Sequence, residues 1–391
     1  MKSSCPSHYI DTWSLQKNSE DVSSLFELVE TEDEPHLLET VLEDDYLGEV
    51  VSSDGKQTLN IERRVRRGHL AVNQIMMRLE QLTLGPWYYE CAVVFRNSLL
   101  LSTMIGNAES WYGLTEKETR DLEKVDEELL RRVLQAHSKT ALELLYLELG
   151  LTPVRFIIQQ MRISYLHYLL NQDQEGLLYN YLDAQVRNPV RGDWALLVKE
   201  DITSLGLNLT FEDVARMSEN TLKSKLKVAV KVAAFKYLTE LQQTHSKSKN
   251  LIYSDLKLQD YLRSGGSGTI DQKAQLFHIR SRMLDLKSNF KSSQETIMCS
   301  LCDNAEETQP HLLSCGALTS HSLIRSDRPV PVYEDIYVED ASRVETIGLL
   351  LMEKFDLFKK CKENPDAHCI VSYIVNSIVR AASGGNTRGI G

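Results

Sequence analysis

No stretch of this sequence stays apolar for the roughly 20 residues that a membrane-spanning helix needs. The nearest approach, Ile370 to Val379, is short and contains Ser372, Asn376 and Ser377. The chain opens Met1-Lys2-Ser3-Ser4 and runs on in polar sequence, without the apolar core of a secretory leader. Its seven Cys are an odd number, and outside one cluster no pair has the spacing of a disulfide framework. These absences predict no membrane partner and a reducing, intracellular compartment, cytoplasmic and nuclear. Cys5, Cys91, Cys361 and Cys369 are then free thiols. No segment recurs at a fixed period, which argues against a helical solenoid. Arginine is missing from residues 1–50, where two Lys face thirteen Asp/Glu. That segment alone carries the whole net charge of −11, so the acidic total does not exclude a polyanionic partner for the balanced remainder.

What the chain does have is a tight group of thiols and one imidazole, Cys299-Ser-Leu-Cys302 … His311-Leu-Leu-Ser-Cys315. A Cys-x-x-Cys knuckle lets two sulfurs face one point. His311 and Cys315 stand at i and i+4, the spacing that puts two side chains on one helical face. Four N/S ligands make the closed tetrahedral set of a structural zinc site, whereas a catalytic zinc keeps an open position. The intervening residues, Asp303 to Pro310, are polar and end in a Pro suited to a helix start. Next to this group the charge is polarised: from Lys223 to Lys291 fourteen Lys/Arg stand against five Asp/Glu. Such a segment beside a zinc staple suits phosphates, although charge runs are more often merely solvated helix faces.

The rest of the chain reads as mainly α, with a short β segment near the N-terminus. Tyr46 to Ser52 reads as a strand ending in the Asp54-Gly55 turn. Asp44-Asp45 just before it belongs to the acid-rich tract rather than to a metal site. Asn60 can cap a helix with Ile61, Val65, Val72, Ile75, Met76 and Leu79 at helical spacing, stopped by Gly85-Pro86. A helix from about Tyr88 to Asn107 is apolar nearly all round, which places it in the middle of a bundle. Thr115 with Glu118 forms a capping box for a third helix. Thr152-Pro153 reads as the N-cap and first residue of a helix carrying Val154, Ile157, Ile158 and Met161. Further helices are expected near 193–204, 211–243, 270–288 and 340–363, with a flexible joint at Ser264 to Gly268. The expected divisions are an acidic segment with strands (1–56), a helical bundle (57–150), a helical linker (151–263), a basic helix with the zinc module (269–320) and a C-terminal tail (321–391).

These stretches resemble a known family as an ensemble. The run Tyr46-Leu47-Gly48 … Ser52-Ser53-Asp54-Gly55, with Asn60-Ile61-Glu62 and Arg66-Arg67-Gly68, resembles the strand and first helix after the palm of non-LTR (LINE-type, jockey-like) retrotransposon reverse transcriptases. Glu109-Ser110-Trp111-Tyr112-Gly113-Leu114-Thr115, Leu122 to Asp126 and Leu129 to Leu134 are similar to that family's thumb. Tyr146 to Gly150, Pro153 to Ile158, Asn188 to Trp194 and Ile279 to Met283 continue the likeness, and the Cys-Cys-His-Cys group fits the family's C-terminal zinc motif. The likeness covers about residues 20–320. It implies a helical thumb-like bundle, a structural Zn2+, and RNA and DNA as partners in the form of a template–primer duplex and element RNA.

The family's polymerase chemistry needs two or three Asp holding Mg2+ ions in the palm. No Ala-Asp-Asp or equivalent occurs here. The expectation is a C-terminal nucleic-acid-binding fragment of an RNA-directed DNA polymerase, without catalytic residues and inactive alone; Mg2+ would belong only to an intact parent polymerase.

The resemblance implies phosphate contacts with little sequence preference and steep salt dependence. Arg63, Arg64, Arg66 and Arg67 at one helix start, Arg155 and Arg162 on another helix, and Arg280, Arg282, Lys287 and Lys291 beside the zinc group are the expected contacts. Arg131 and Arg132 are set against pairing with Glu127 and Glu128 on their own helix. Phe277 reads as core, His278 as a surface residue, and His137 has no triad context. The alternative from a different class is a helical protein-interaction scaffold, such as a domesticated one, with a zinc staple.

Overall fold

The computed structural model of the chain describes residues 26–28, 36–38, 43–46, 49–52, 56–81, 85–111, 113–266, 268–290, 296–319, 336–337 and 341–363. The expectations for Cys5, the Asp54-Gly55 turn, Tyr112, Lys291, Cys369 and the Ile370–Val379 run fall outside these residues. Helices dominate the described residues, and the strands are confined to the N-terminal part, which gives the mainly α class. The chain divides into two compact units, Met1–Arg63 and Arg64–Gly391.

In the first unit β1 (Phe26–Leu28) pairs antiparallel with β2 (His36–Leu38), and β3 (Glu43–Tyr46) with β4 (Glu49–Ser52). Asp44 is exposed on β3 opposite Val51. Helix α1 (Thr58–Gln81) begins earlier than the Asn60 cap predicts. Asn60 is fully buried inside its first turn, and its Oδ1 accepts a hydrogen bond from Val50 N at 3.4 Å. The side chain serves the strand, which is why it does not cap the helix.

The second unit is built on a pair of buried ionic knots. Helix α2 (Tyr88–Phe95) runs through a π turn (Arg96–Leu100) into α3 (Leu101–Ile105). Apolar composition places this segment at the middle of the bundle, but Val94 is 58 % exposed while Arg96 is buried. The guanidinium is admitted because Asp126 neutralises it: Nε and Nη2 donate to the two carboxylate oxygens at 2.7 and 2.6 Å, and Nη2 also donates to Thr152 O at 2.8 Å. The Tyr146 hydroxyl donates to the same carboxylate at 2.9 Å.

Asp126 lies on α4 (Glu116–Val133), which starts at the expected capping box of Thr115 and Glu118 and buries Leu122, Val125, Leu129 and Val133. Gly68 of α1 lets the helices approach: a Cβ there would lie 2.8 Å from Val125 Cγ1 and 2.9 Å from Met104 Cγ.

The central helix is α6 (Val154–Leu170), after α5 (Leu142–Leu149). It packs against α4, α7 (Leu177–Arg187), α8 (Trp194–Ser204), α9 (Phe211–Arg216) and α10 (Glu219–Thr244). Its N-cap is Pro153, one residue later than the Thr152-Pro153 pair suggests. The helix expected over 211–243 is two helices, because two caps compete for the segment. Thr210 with Asp213 starts α9, and Ser218, accepting from Thr221 N, starts α10. The helix expected over 270–288 likewise ends early: α11 (Ile270–Arg280) closes in a turn, and α12 (Lys287–Phe290) follows separately. Then come α13 (Gln309–Ser314), α14 (Gly316–Thr319) and α15 (Ala341–Glu363), the last packed on α11, α13 and α14.

The second knot makes bonds across the positions 150, 263 and 320 of the expected divisions. Glu148 on α5 accepts from Tyr253, Tyr261 and Arg280, and Arg280 Nη1 donates to Ile336 O at 2.7 Å. Gln259 N donates to Glu148 O at 3.0 Å. These bonds bind the expected bundle, linker, zinc segment and tail into one folded unit.

Candidate metal centre and the basic side chains

The metal-ligating group assembles as its spacing indicates. One Sγ each from Cys299, Cys302 and Cys315 and a ring nitrogen of His311 all lie within 4.8 Å of one another. Cys302 Sγ and His311 Nε2 are 3.3 Å apart. Cys299 and Cys315 are buried, while Cys302 and His311 are half-buried. The knuckle forms because Cys299 N donates to Ala305 O at 2.8 Å and Asp303 N to Cys299 O at 3.0 Å. Asp303 takes the left-handed conformation, φ 53°, that this tight reversal requires. On the far side Thr308 caps α13, with Pro310 in its first turn, and so aims His311 back at the thiols. Burial pushes the Cys315 thiol up to about 12. Backbone N–H donation from Asn304 holds Cys302 below the ordinary thiol range. A cation entering this group must displace protons, so its uptake strengthens with rising pH.

A residue missed in the sequence organises this loop. Glu307 is fully buried, and its carboxylate accepts from Ser300 N at 3.1 Å, Ser300 Oγ at 2.8 Å and Lys287 N at 2.9 Å. It therefore fixes Ser300, between the first two Cys ligands, through two bonds and joins the knuckle to α12. Nothing in the sequence separates it from Glu306 beside it. On the other flank the buried Lys354 of α15 donates to Leu318 O at 2.7 Å.

The basic side chains expected to contact phosphate are largely used inside the protein. Arg280 is 1 % exposed; its Nε donates to Glu148 at 2.8 Å, so it cannot reach a ligand and is withdrawn from the contact set. Arg155 makes a two-point pair with Glu123 at 2.6 and 2.8 Å and lies over Tyr237. Arg162 Nε sits 2.8 Å from Asp201 Oδ2. Lys287 Nζ donates to Met298 O at 3.1 Å, inside the metal loop. Arg155 and Arg162 have their charges met by these carboxylates, whereas the half-buried Lys287 bonds a neutral carbonyl.

Arg64 is 7 % exposed and donates to Thr103 O at 3.1 Å, whereas Arg66 is exposed and Arg63 and Arg67 are half-exposed. Arg282 is half-buried and donates to the Tyr337 hydroxyl, with its guanidinium 5.3 Å from that ring. Arg131 pairs with Glu127 at 2.5 Å and Arg132 with Glu128 at 3.6 Å, the helical pairing weighed on the sequence. Phe277 is core, and His278 is half-buried with Nε2 donating to Gln135 O at 2.7 Å. Burial lowers the pKa of that imidazole.

No helix among the described residues is long and apolar enough to cross a membrane. Comparison with protein-family models, with curated proteins and with solved structures gives no match.

Proposed function

We propose that this chain binds nucleic acid as the C-terminal, thumb-and-zinc-motif part of a non-LTR retrotransposon reverse transcriptase. On this reading it grips a template–primer duplex and element RNA inside the cell, in cytoplasm and nucleus, and carries none of the palm carboxylates of polymerisation. The observation that carries it is the four-ligand group: three sulfurs and one imidazole nitrogen within 4.8 Å of one another. Zinc with sulfur at about 2.3 Å spans tetrahedral edges of about 3.8 Å, which suits this spread. A thiolate-rich closed set favours zinc over the oxygen-seeking cations and leaves no position open for catalysis. The ion is therefore a staple: it holds α12, α13 and the knuckle together so that the cations around them keep one arrangement.

The helical build and the cationic Lys223–Lys291 segment support the polyanion partner. The test is binding of a labelled primer–template duplex by the zinc-loaded chain at low and high salt. Affinity that falls steeply with salt supports the reading; affinity that is absent in dilute buffer refutes it.

A second reading rests on a different surface. Leu177, Tyr181 and Val190, on and just after α7, are 61 %, 65 % and 64 % exposed. Exposed apolar side chains gathered on one short segment favour a helical protein-interaction scaffold. Such a scaffold shows no salt-sensitive affinity for the duplex.

A further inference from the structure

Three chain segments remote in sequence bring cations to one place beside the metal module. The loop after α4 carries His137 and the exposed Lys139, tied together by Lys139 N donating to His137 Nδ1 at 3.0 Å. Both reach Phe290 on α12: the His137 ring is 4.5 Å from it, and Lys139 Nζ is 5.7 Å from its centroid. The loop after α10 carries Lys247, whose Nζ donates to Oδ1 of Asn289, the neighbour of Phe290, at 3.2 Å. The turn after α11 carries Arg282, held in the left-handed conformation at φ 54° with Met283 N donating back to His278 O at 2.7 Å.

Lys247 lies within electrostatic reach of both Lys139 and Arg282. The Lys247 ammonium is held below its ordinary value first by burial, then by repulsion from Lys139 and from Arg282. Bringing like charges together is unfavourable unless an anion joins them. The segment they surround is positioned by the metal loop, since Lys287 of α12 is bonded to Glu307 and to Met298 O.

We propose that Lys139, Lys247 and Arg282 form a phosphate-contacting site for the nucleic-acid backbone, supported from below by Asn289 and Phe290. The inference rests on the nucleic-acid reading above and takes the place of the buried Arg280 and the carboxylate-paired Arg155 and Arg162 in the contact set. Two ammonium groups and one guanidinium suit the diffuse charge of a phosphodiester and read no base, so the site gives affinity without sequence preference. Because α12 is anchored in the metal loop, the site is complete only in the zinc-loaded chain.

The experiment measures affinity of the full zinc-loaded chain for the labelled duplex across a salt series, with the Lys139→Gln/Lys247→Gln variant and a control, Lys117→Gln/Lys199→Gln, at exposed lysines of α4 and α8 outside the basic segment. Each phosphate contact contributes about 0.9 to the slope of log affinity against log salt. The expected result is a slope shallower by about 1.8 in the first variant, with wild-type zinc content, and an unchanged slope in the control. Wild-type slope in the first variant, or equal loss in the control, overturns the site while leaving the nucleic-acid reading standing. No binding by the wild-type chain overturns both.

Amine acylation of the wild-type chain gives a readout independent of any variant: duplex should protect Lys139 and Lys247, and undiminished labelling of both counts against the site. Poly-glutamate bound through the same two lysines in place of the duplex assigns the surface to an acidic protein and refutes the proposal.

Discussion

Arg280 and Glu148 stand 132 residues apart in the chain and 2.8 Å apart in space, each about 1 % exposed. The carboxylate also accepts from the hydroxyls of Tyr253 at 2.7 Å and Tyr261 at 2.9 Å, and both rings lie against the guanidinium. Arg280→Ala strands a charge and two phenols in the interior, and breaking such a pair costs about 3–5 kcal/mol. Urea unfolding should show that loss. A variant as stable as wild type would contradict the buried network.

Gly150 ends α5 at φ +66°, and a Cβ there would fall 2.1 Å from the Lys257 carbonyl carbon. Gly150→Ala should therefore lower stability by more than about 1 kcal/mol, through both backbone strain and the clash with the 257–258 chain. A thermal midpoint equal to wild type would show that this crossing is not close.

Asp201 supplies a pH test. Burial pushes its carboxyl up to about 6, outweighing the attraction of Arg162. A carboxyl with a folded value above its unfolded value binds its proton more tightly when folded. Its contribution to stability is complete below about pH 4 and is lost as the pH rises through about 6. Over that window the wild-type chain should lose up to about 3 kcal/mol that Asp201→Asn, which cannot titrate, does not lose. Unfolding of both across the window checks this; identical pH profiles would contradict it.

How much of this was legible in the sequence depended on whether a signal was local. The Thr115/Glu118 box, the metal group and the apolar spacing of α1 and α4 each lie within a few residues or turns, and all appear as expected. Partnership across the fold was not legible. Arg280 reads as part of a basic run until Glu148 is beside it, and Arg96 reads as an interruption in an apolar helix until Asp126 is beside it. Charge counting along the chain cannot distinguish a guanidinium buried with its carboxylate from one facing water, so of the expected phosphate contacts Arg64 and Arg280 proved buried, and Arg155 and Arg162 paired with carboxylates. Lys139 was overlooked for the converse reason: it lies outside the basic segment and joins it only in three dimensions.

Glu307 offers a test of the loop that holds the metal. With Glu307→Ala the Ser300 N–H and hydroxyl and the Lys287 N–H lose their buried acceptor. Loss of such supporting bonds typically lowers metal affinity about 10–100-fold. Competition against a chromophoric chelator measures the change. Affinity equal to wild type would show that the carboxylate does not position the ligands.

The most direct measurement is zinc content per purified chain, by elemental analysis, together with the thermal midpoint before and after chelation. The account predicts about one zinc per chain, its loss in Cys302→Ser and His311→Ala, and a midpoint that falls when the ion is removed. A wild-type chain that contains no metal, takes none up, and melts at the same temperature with and without chelator would contradict it.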